Sequence, residues 1–293
     1  MNIVLIGKNG QLGWEIQRSL SPLGKVTALG RDQLNVSDHK AVQSILKELK
    51  PNLIINASAY TKVDQAETQI ELATKINSVA PGIMAEIAHN THAVFIHYST
   101  DYVFDGQKTT PYIEEDQTNP LNIYGKSKLM GEENIKQVGD AYFIFRTSWV
   151  YSLRGNSFVN KVLGWSRKSQ NLKIVSNQVG SPTWARLLAE TTSLVIATCT
   201  MDLLDNVRER RGVYHLAGSG YTSRYQWAQR ILANDPNRAE QLVQTVEPVP
   251  SEEFPTPATR PMFSALNCEK IEKIFKLRLP DWEESLRLAM AGS

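Results

Sequence analysis

Cysteine is scarce in this chain. Only Cys199 and Cys268 occur in 293 residues, neither in a CxxC pair nor in a zinc-ligand spacing, so no disulfide framework is implied. That usage suits a reducing compartment, and the expected location is the cytoplasm. Charge bias is missing as well. The 32 basic and 30 acidic residues leave a net charge of +2, and no broad field points to nucleic acid or an anionic membrane surface. No apolar run reaches the length of a membrane span. The run in "MNIVLIGKNG" is too short for a secretory leader, and no basic residue precedes it. Repeats and low-complexity tracts are absent. The five histidines are scattered without ligand spacing. His97 and His215 fall in strand-like segments, where a buried, hydrogen-bonded role is expected.

What is present is an ordinary globular composition, 42% hydrophobic, with enough length for one large domain or two modest ones. The first half alternates strands and helices. "NIVLI" (2–6), "KVTAL" (25–29), "NLIINAS" (52–58), "AVFIHYST" (93–100) and "AYFIFRTSWVY" (141–151) read as strands. Between them, "SDHKAVQSILKEL" (37–49) predicts a helix capped by Ser37. Residues 70–90 predict a long helix kinked or restarted near Pro81, and 121–137 predict another. Such units imply an α/β fold, a Rossmann-type doubly wound parallel sheet, with ligands at the carboxyl ends of its strands. Residues 1–150 are expected to form this dinucleotide-binding domain. Residues 151–293 would form a smaller C-terminal α/β substrate lobe, with a stretch at about 185–217 returning to the sheet. "VEPVPSEEFPTPATRP" (246–261) holds five prolines, which exclude regular helix. It reads either as a structured loop near a site or as a flexible flap.

The glycine motif "GKNGQLG" places Gly7, Gly10 and Gly13 between a buried strand and a helix. Glycine there permits a tight turn and close backbone approach to a pyrophosphate, and the helix N-terminus offers free N–H groups. The bland alternative is a turn that only packs a helix on a sheet. At the end of strand two, Asp32 would bond the ribose hydroxyls of NADH, whereas Arg31 would take the 2′-phosphate of NADPH. Arg31 lies nearer the strand, which tilts the reading toward NADPH. "HYSTDYVFDG" (97–106) crowds Ser99, Thr100, Asp101 and Tyr102 at a strand end. "NIYGKSK" (122–128) sets Tyr124 and Lys128 one turn apart on the next helix. Alone, that pair says little, since about half a Tyr-x-x-x-Lys match is expected by chance in a chain of this composition. The order of glycine loop, strand-end hydroxyl and Tyr-x-x-x-Lys gives it meaning.

These features together resemble the extended short-chain dehydrogenase/reductase superfamily. There a dihydronicotinamide delivers hydride to a carbonyl carbon, a tyrosine gives its proton to the oxygen, and a lysine stabilises the phenolate. The blocks "NASAYTKVDQAE", "STDYVFDG", "FRTSWVY", "NQVGSPT", "YHLAGSG" and "RPMFSAL" narrow the likeness, nearly end to end, to the dTDP-4-dehydrorhamnose reductase family. The resemblance implies reduction of the C4 ketone of dTDP-4-dehydro-L-rhamnose, supplying activated rhamnose for surface polysaccharide. It implies Tyr124 as proton donor, Thr100 as a catalytic hydroxyl and Lys128 on the nicotinamide ribose. It places cofactor contacts at Gln11, Leu12, Asn35, Ala57, Ser58, Ala59 and Tyr60, besides the glycines, Arg31 and Asp32. Substrate contacts would come from Asp101, Tyr102, Trp149 and Asn156. Arg260 would clamp the diphosphate, unless it merely pairs with Glu252 or Glu253.

Departures occur. Asn35 and Asn177 stand where the family usually has Asp. Some members bridge a homodimer through a metal held by acidic residues. Glu15 and Asp281 fit that pattern, but Arg186 replaces an expected Glu, so no such metal is expected. Trp14, Trp165, Trp184, Trp227 and Trp282 are expected to pack rather than stack on ligand. Two other readings stay open on residues alone. One is a reductase of another 4-keto sugar nucleotide. The other is a non-catalytic subunit similar to the regulatory subunit of methionine adenosyltransferase.

Overall fold

Six short apolar strands pair in parallel at the centre of the computed structural model, which describes residues 1–291. The first half supplies five of them: β1 (Asn2–Ile6), α1 (Gln11–Ser19), β2 (Lys25–Leu29), α2 (His39–Leu49), β3 (Leu53–Asn56), α3 (Val63–Ala66), α4 (Ile70–Thr74), α5 (Ala80–Asn90), β4 (Val94–Thr100), α6 (Ile123–Val138) and β5 (Tyr142–Thr147). Next come β6 (Val150–Tyr151), α7 (Phe158–Ser166), β7 (Asn171–Val175), β8 (Val179–Gly180), β9 (Thr183–Trp184), α8 (Ala185–Ala197) and α9 (Leu203–Arg210). The strand β10 (Gly212–His215) then returns to the sheet beside β5. β11 (Thr222–Ser223), α10 (Arg224–Ala233), β12 (Thr245–Val249), α11 (Glu269–Phe275) and α12 (Trp282–Ala291) follow. The sheet order is β10-β5-β4-β3-β1-β2. Its direction of growth reverses between β1 and β3, which opens a crevice at their carboxyl ends.

The strands are apolar without interruption because helices cover both faces. On β1, Ile3 and Leu5 enter one core cluster, and Val4 and Ile6 enter the other. Pleating sends alternate side chains to opposite faces. A third cluster, around Trp227, Tyr151 and Leu286, holds the lobe built on α7, α10 and the β7–β12 pair. No single helix among the described residues is long and apolar enough to cross a membrane.

Several local expectations shift. Asp38, not Ser37, caps α2, accepting from the Ala41 N–H at 3.0 Å, because the helix begins at His39. The 70–90 helix is, as expected, interrupted near Pro81, by a π-turn at Lys75–Val79 just ahead of it. Pro81 follows directly after this turn, at the start of α5. The strand expected over 141–151 breaks at Ser148–Trp149, where Trp149 has φ 45°. The proline-rich segment starts as β12, an edge strand that tolerates Pro248 because one side needs no partner.

Candidate active site

Thr100 ends β4, and its hydroxyl caps the next turn, accepting from the Tyr102 N–H at 3.2 Å. It also donates to Asp101 Oδ1 at 3.1 Å. The Asp101 carboxylate is buried and receives the Ser148 and Ser264 hydroxyls at 2.9 and 2.6 Å. Burial raises its pKa, and the three hydroxyls oppose that rise. Helix α6 starts beside this turn because Asn122 accepts the Gly125 N–H at 2.8 Å. Gly125 permits the approach, since a Cβ there would lie 2.2 Å from the Tyr102 carbonyl oxygen. This contact brings Tyr124 beside Thr100, with the Tyr124 and Tyr102 rings edge to face at 5.7 Å. Burial pushes the Tyr124 phenol up, and the Thr100 hydroxyl pulls the other way. The phenol is therefore neutral and can donate a proton.

Lys128 follows one turn later and is buried. Its side-chain nitrogen lies 2.5 Å from the Tyr98 carbonyl oxygen and 3.0 Å from His97 Nε2. Burial pulls its pKa down to about 7, against the pull of Glu132. Glu132 is itself buried and held by Arg146, at 2.7 Å from Nη2 and 3.0 Å from Nε, and by the Ser99 hydroxyl. As expected, His97 and His215 are both buried in strands and hydrogen-bonded.

The edge expected to hold the cofactor is made of backbone. Gly7 has φ 97°, and a Cβ on Gly13 would lie 2.1 Å from the Gly7 carbonyl oxygen. Gly10 is the N-cap of α1 and offers no side chain to it. Gln11 Oε1 is buried there without a partner, and Leu12 packs on the core. Arg31 and Asp32 are exposed just past β2, and no described residue pairs with Arg31. Asn35 is exposed and turned to Ser37, whose hydroxyl donates to it at 2.9 Å. Ala57, Ser58, Ala59 and Tyr60 leave the end of β3. Asn77, in the π-turn, pins them by accepting the Tyr60 N–H at 2.8 Å and donating to Ser127 on α6 at 3.0 Å. A tight glycine cradle, a helix N-terminus, an orphaned amide oxygen and a free arginine fit a dinucleotide.

Side chains from distant segments build the opposite face. Trp149 stacks on Trp227 at 5.6 Å, and the Arg224 guanidinium lies 3.6 Å over its ring. Arg260 bonds Asp64 at 2.9 Å and the Tyr102 hydroxyl at 3.4 Å, not Glu252 or Glu253. The proline-rich segment is tied here too, since Asn122 donates to the Thr259 carbonyl at 2.7 Å. Asn156 is exposed on the loop before α7, away from hydrogen bonds to any described site residue. Trp165 is 41% exposed but packs edge to face on Phe158 at 6.3 Å, and Trp14 carries Arg18 and Arg154 on its ring at 3.4 and 3.3 Å. Arg186 pairs with Glu190 at 2.6 Å, and Asp281 accepts the Glu283 N–H at 2.8 Å at the start of α12.

Sequence reading missed Arg224. Its guanidinium has no hydrogen bond or ion pair with any described residue, yet Asp101, Tyr102 and Arg260 all act on its charge. Burial lowers its pKa to about 10, so it stays a cation. Its only sequence signal is its place directly after the Ser223 cap, which says nothing about what it faces.

Residues 1–292 match the family model described as the RmlD substrate binding domain. The chain is 40% identical to a dTDP-4-dehydrorhamnose reductase of Burkholderia thailandensis, over 99% of this chain and 98% of that one. A dTDP-4-dehydrorhamnose reductase structure from Clostridium acetobutylicum superposes with a TM-score of 0.89 at 35% identity, covering 99% of both chains. One from Bacillus anthracis, in complex with NADP, gives 0.88 at 32% identity, again covering 99% of both.

Proposed function

The chain belongs to the dTDP-4-dehydrorhamnose reductase family, and from that premise we infer that it reduces the C4 ketone of dTDP-4-dehydro-L-rhamnose to dTDP-L-rhamnose, with Tyr124 as proton donor. The observation that carries the residue assignment is Tyr124 beside Thr100, at the carboxyl edge of the sheet, one turn from a buried Lys128. A bound NADPH or NADH supplies the hydride. The chain's residues do the rest. The Thr100 hydroxyl turns its one proton from Asp101 to the ketone oxygen and so orients it. Tyr124 gives that oxygen its proton, and Lys128, as ammonium, stabilises the phenolate left behind. Gly7, Gly10 and Gly13 hold the diphosphate of the dinucleotide. Arg224 and Arg260 face the diphosphate of the sugar nucleotide, because an unpaired cation close to a second one is relieved by an anion between them. Trp149 offers its ring to the sugar. The enzyme works in the cytoplasm, feeding polysaccharide synthesis.

The test follows absorbance of reduced nicotinamide, with substrate made in situ by the upstream dehydratase and epimerase. Oxidation should need the epimerase, and Tyr124→Phe should lower turnover about 10²–10⁴-fold with binding kept. Retained turnover in that variant would remove Tyr124 as the acid. Oxidation without the epimerase would move the substrate to a related 4-keto sugar.

A further inference from the structure

Lys128 sits at the end of a hydrogen-bond chain whose polarity is set far from it. The Ser58 backbone N–H donates to Asn56 Oδ1 at 3.0 Å, and the Ser58 hydroxyl adds a second bond at 2.6 Å. A backbone N–H can only donate, so this end of the Asn56 amide must be its oxygen. The amide nitrogen then faces His97 Nδ1 at 3.2 Å. Nδ1 must accept, and a neutral imidazole must therefore carry its one proton on Nε2. That N–H points at Lys128 Nζ, 3.0 Å away. It can meet only a lone pair there. Lys128 donates in turn to the Tyr98 carbonyl.

We propose that Asn56 and His97 hold Lys128 as a neutral amine in the cofactor-free enzyme, and that binding of the dinucleotide takes up one proton at Lys128. This rests on the reading of Lys128 as a cofactor contact. An ammonium on Lys128 has no lone pair for Nε2–H. To accommodate it, His97 must move its proton to Nδ1, which would then face the Asn56 amide nitrogen. Asn56 must turn over, and the Ser58 N–H loses its acceptor. Ser58 lies in the 57–60 segment of the cofactor edge, so the charge on Lys128 and the state of that edge are linked. A dinucleotide brings negative phosphates and ribose hydroxyls, which favour the ammonium.

The surroundings leave this chain in control. From α6, Glu132 pulls toward the charged form, but Arg146 on β5 and Ser99 on β4 already hold its carboxylate. Tyr124 on α6 is neutral, and the Tyr98 hydroxyl turns away to Thr192 on α8. The end of β3 contributes Asn56 and Ser58, neither titratable. Burial holds His97 well below its usual pKa, so it does not charge in place of Lys128.

The test is the pH dependence of NADH affinity between about pH 6 and pH 9, by fluorescence titration. NADH is the probe because NADPH carries a phosphate monoester that itself titrates near about pH 6. If binding favours a protonated Lys128, the Kd should hold on the acid side and rise above about pH 7, by up to about tenfold per pH unit. Calorimetry in buffers of different ionisation enthalpy should show uptake of about one proton at about pH 8. Asn56→Asp presents a carboxylate to His97 Nδ1, forces the proton there, and lets Nε2 accept from an ammonium. Its Kd should be nearly flat across the range. His97→Gln offers Lys128 an amide oxygen instead, and its break should move to higher pH. A flat wild-type profile without proton uptake would overturn the proposal alone. So would variants weaker at every pH with the wild-type break, because that is what a structural role predicts. Absence of NADH binding at every pH would overturn the cofactor reading and this proposal with it.

Discussion

The two faces of the cleft are built in opposite ways. The cofactor edge comes from the first 60 residues, in three strand ends that lie side by side in the sheet. Its key groups are backbone: the Gly7 turn, the start of α1 and the Ala57–Tyr60 segment. The proposed substrate face draws on Trp149, Arg224 and Arg260, brought together by the folding of segments far apart in sequence. Its key groups are side chains. A backbone site demands glycine, because only glycine fits, so it leaves a signature. A side-chain site needs only a cation or a ring at the right place, and such residues are common everywhere in a sequence.

The strongest way to break this contrast is Gly13→Ala. Its Cβ would lie 2.1 Å from one backbone atom of the Gly7 peptide and 2.7 Å from another, so the turn itself must move. Overpacking of this kind costs about 1–3 kcal/mol or more. Affinity for NADH and NADPH should fall together, by up to about a hundredfold, while thermal unfolding reports any loss of fold separately. If both cofactors bind as before, the edge is not a backbone cradle.

Arg224→Gln tests the other face. A charge-assisted bond to phosphate contributes about 1.5–3 kcal/mol, which is about ten- to a hundredfold. The KM for the sugar nucleotide should rise by that much, with kcat and the NADH Kd little changed. Competition by dTDP should weaken in parallel, whereas competition by thymidine, which has no phosphate, should not. A loss confined to kcat would instead make Arg224 part of the reacting centre.

The sheet was legible because strands covered on both faces must be continuously apolar, as in "NIVLI" and "NLII". That Tyr124 and Lys128 would share one helix beside the Thr100 strand end was legible through spacing joined to order along the chain. Other features were set by contacts between distant positions. Asn77 occupies a π-turn because the Tyr60 backbone and Ser127 meet there. Pro248 lies in a strand because β7 is its only sheet neighbour. Arg224 was invisible for the same reason, and Asn56 and His97 acquire meaning only once Ser58 and Lys128 are seen at the two ends of their chain.

The smallest effect sharpens the contrast within the cofactor edge itself, where Arg31 is a cation with no partner among the described residues. It is exposed, so water and salt screen it, and an exposed ion pair contributes about 0.2–1 kcal/mol. Arg31→Ala should therefore weaken NADPH by no more than about fivefold and leave NADH unchanged. The difference should shrink as salt is added. Equal weakening of both cofactors would mean that Arg31 supports the edge instead of reading the 2′-phosphate, and Asp32 would then be the residue that meets the ribose.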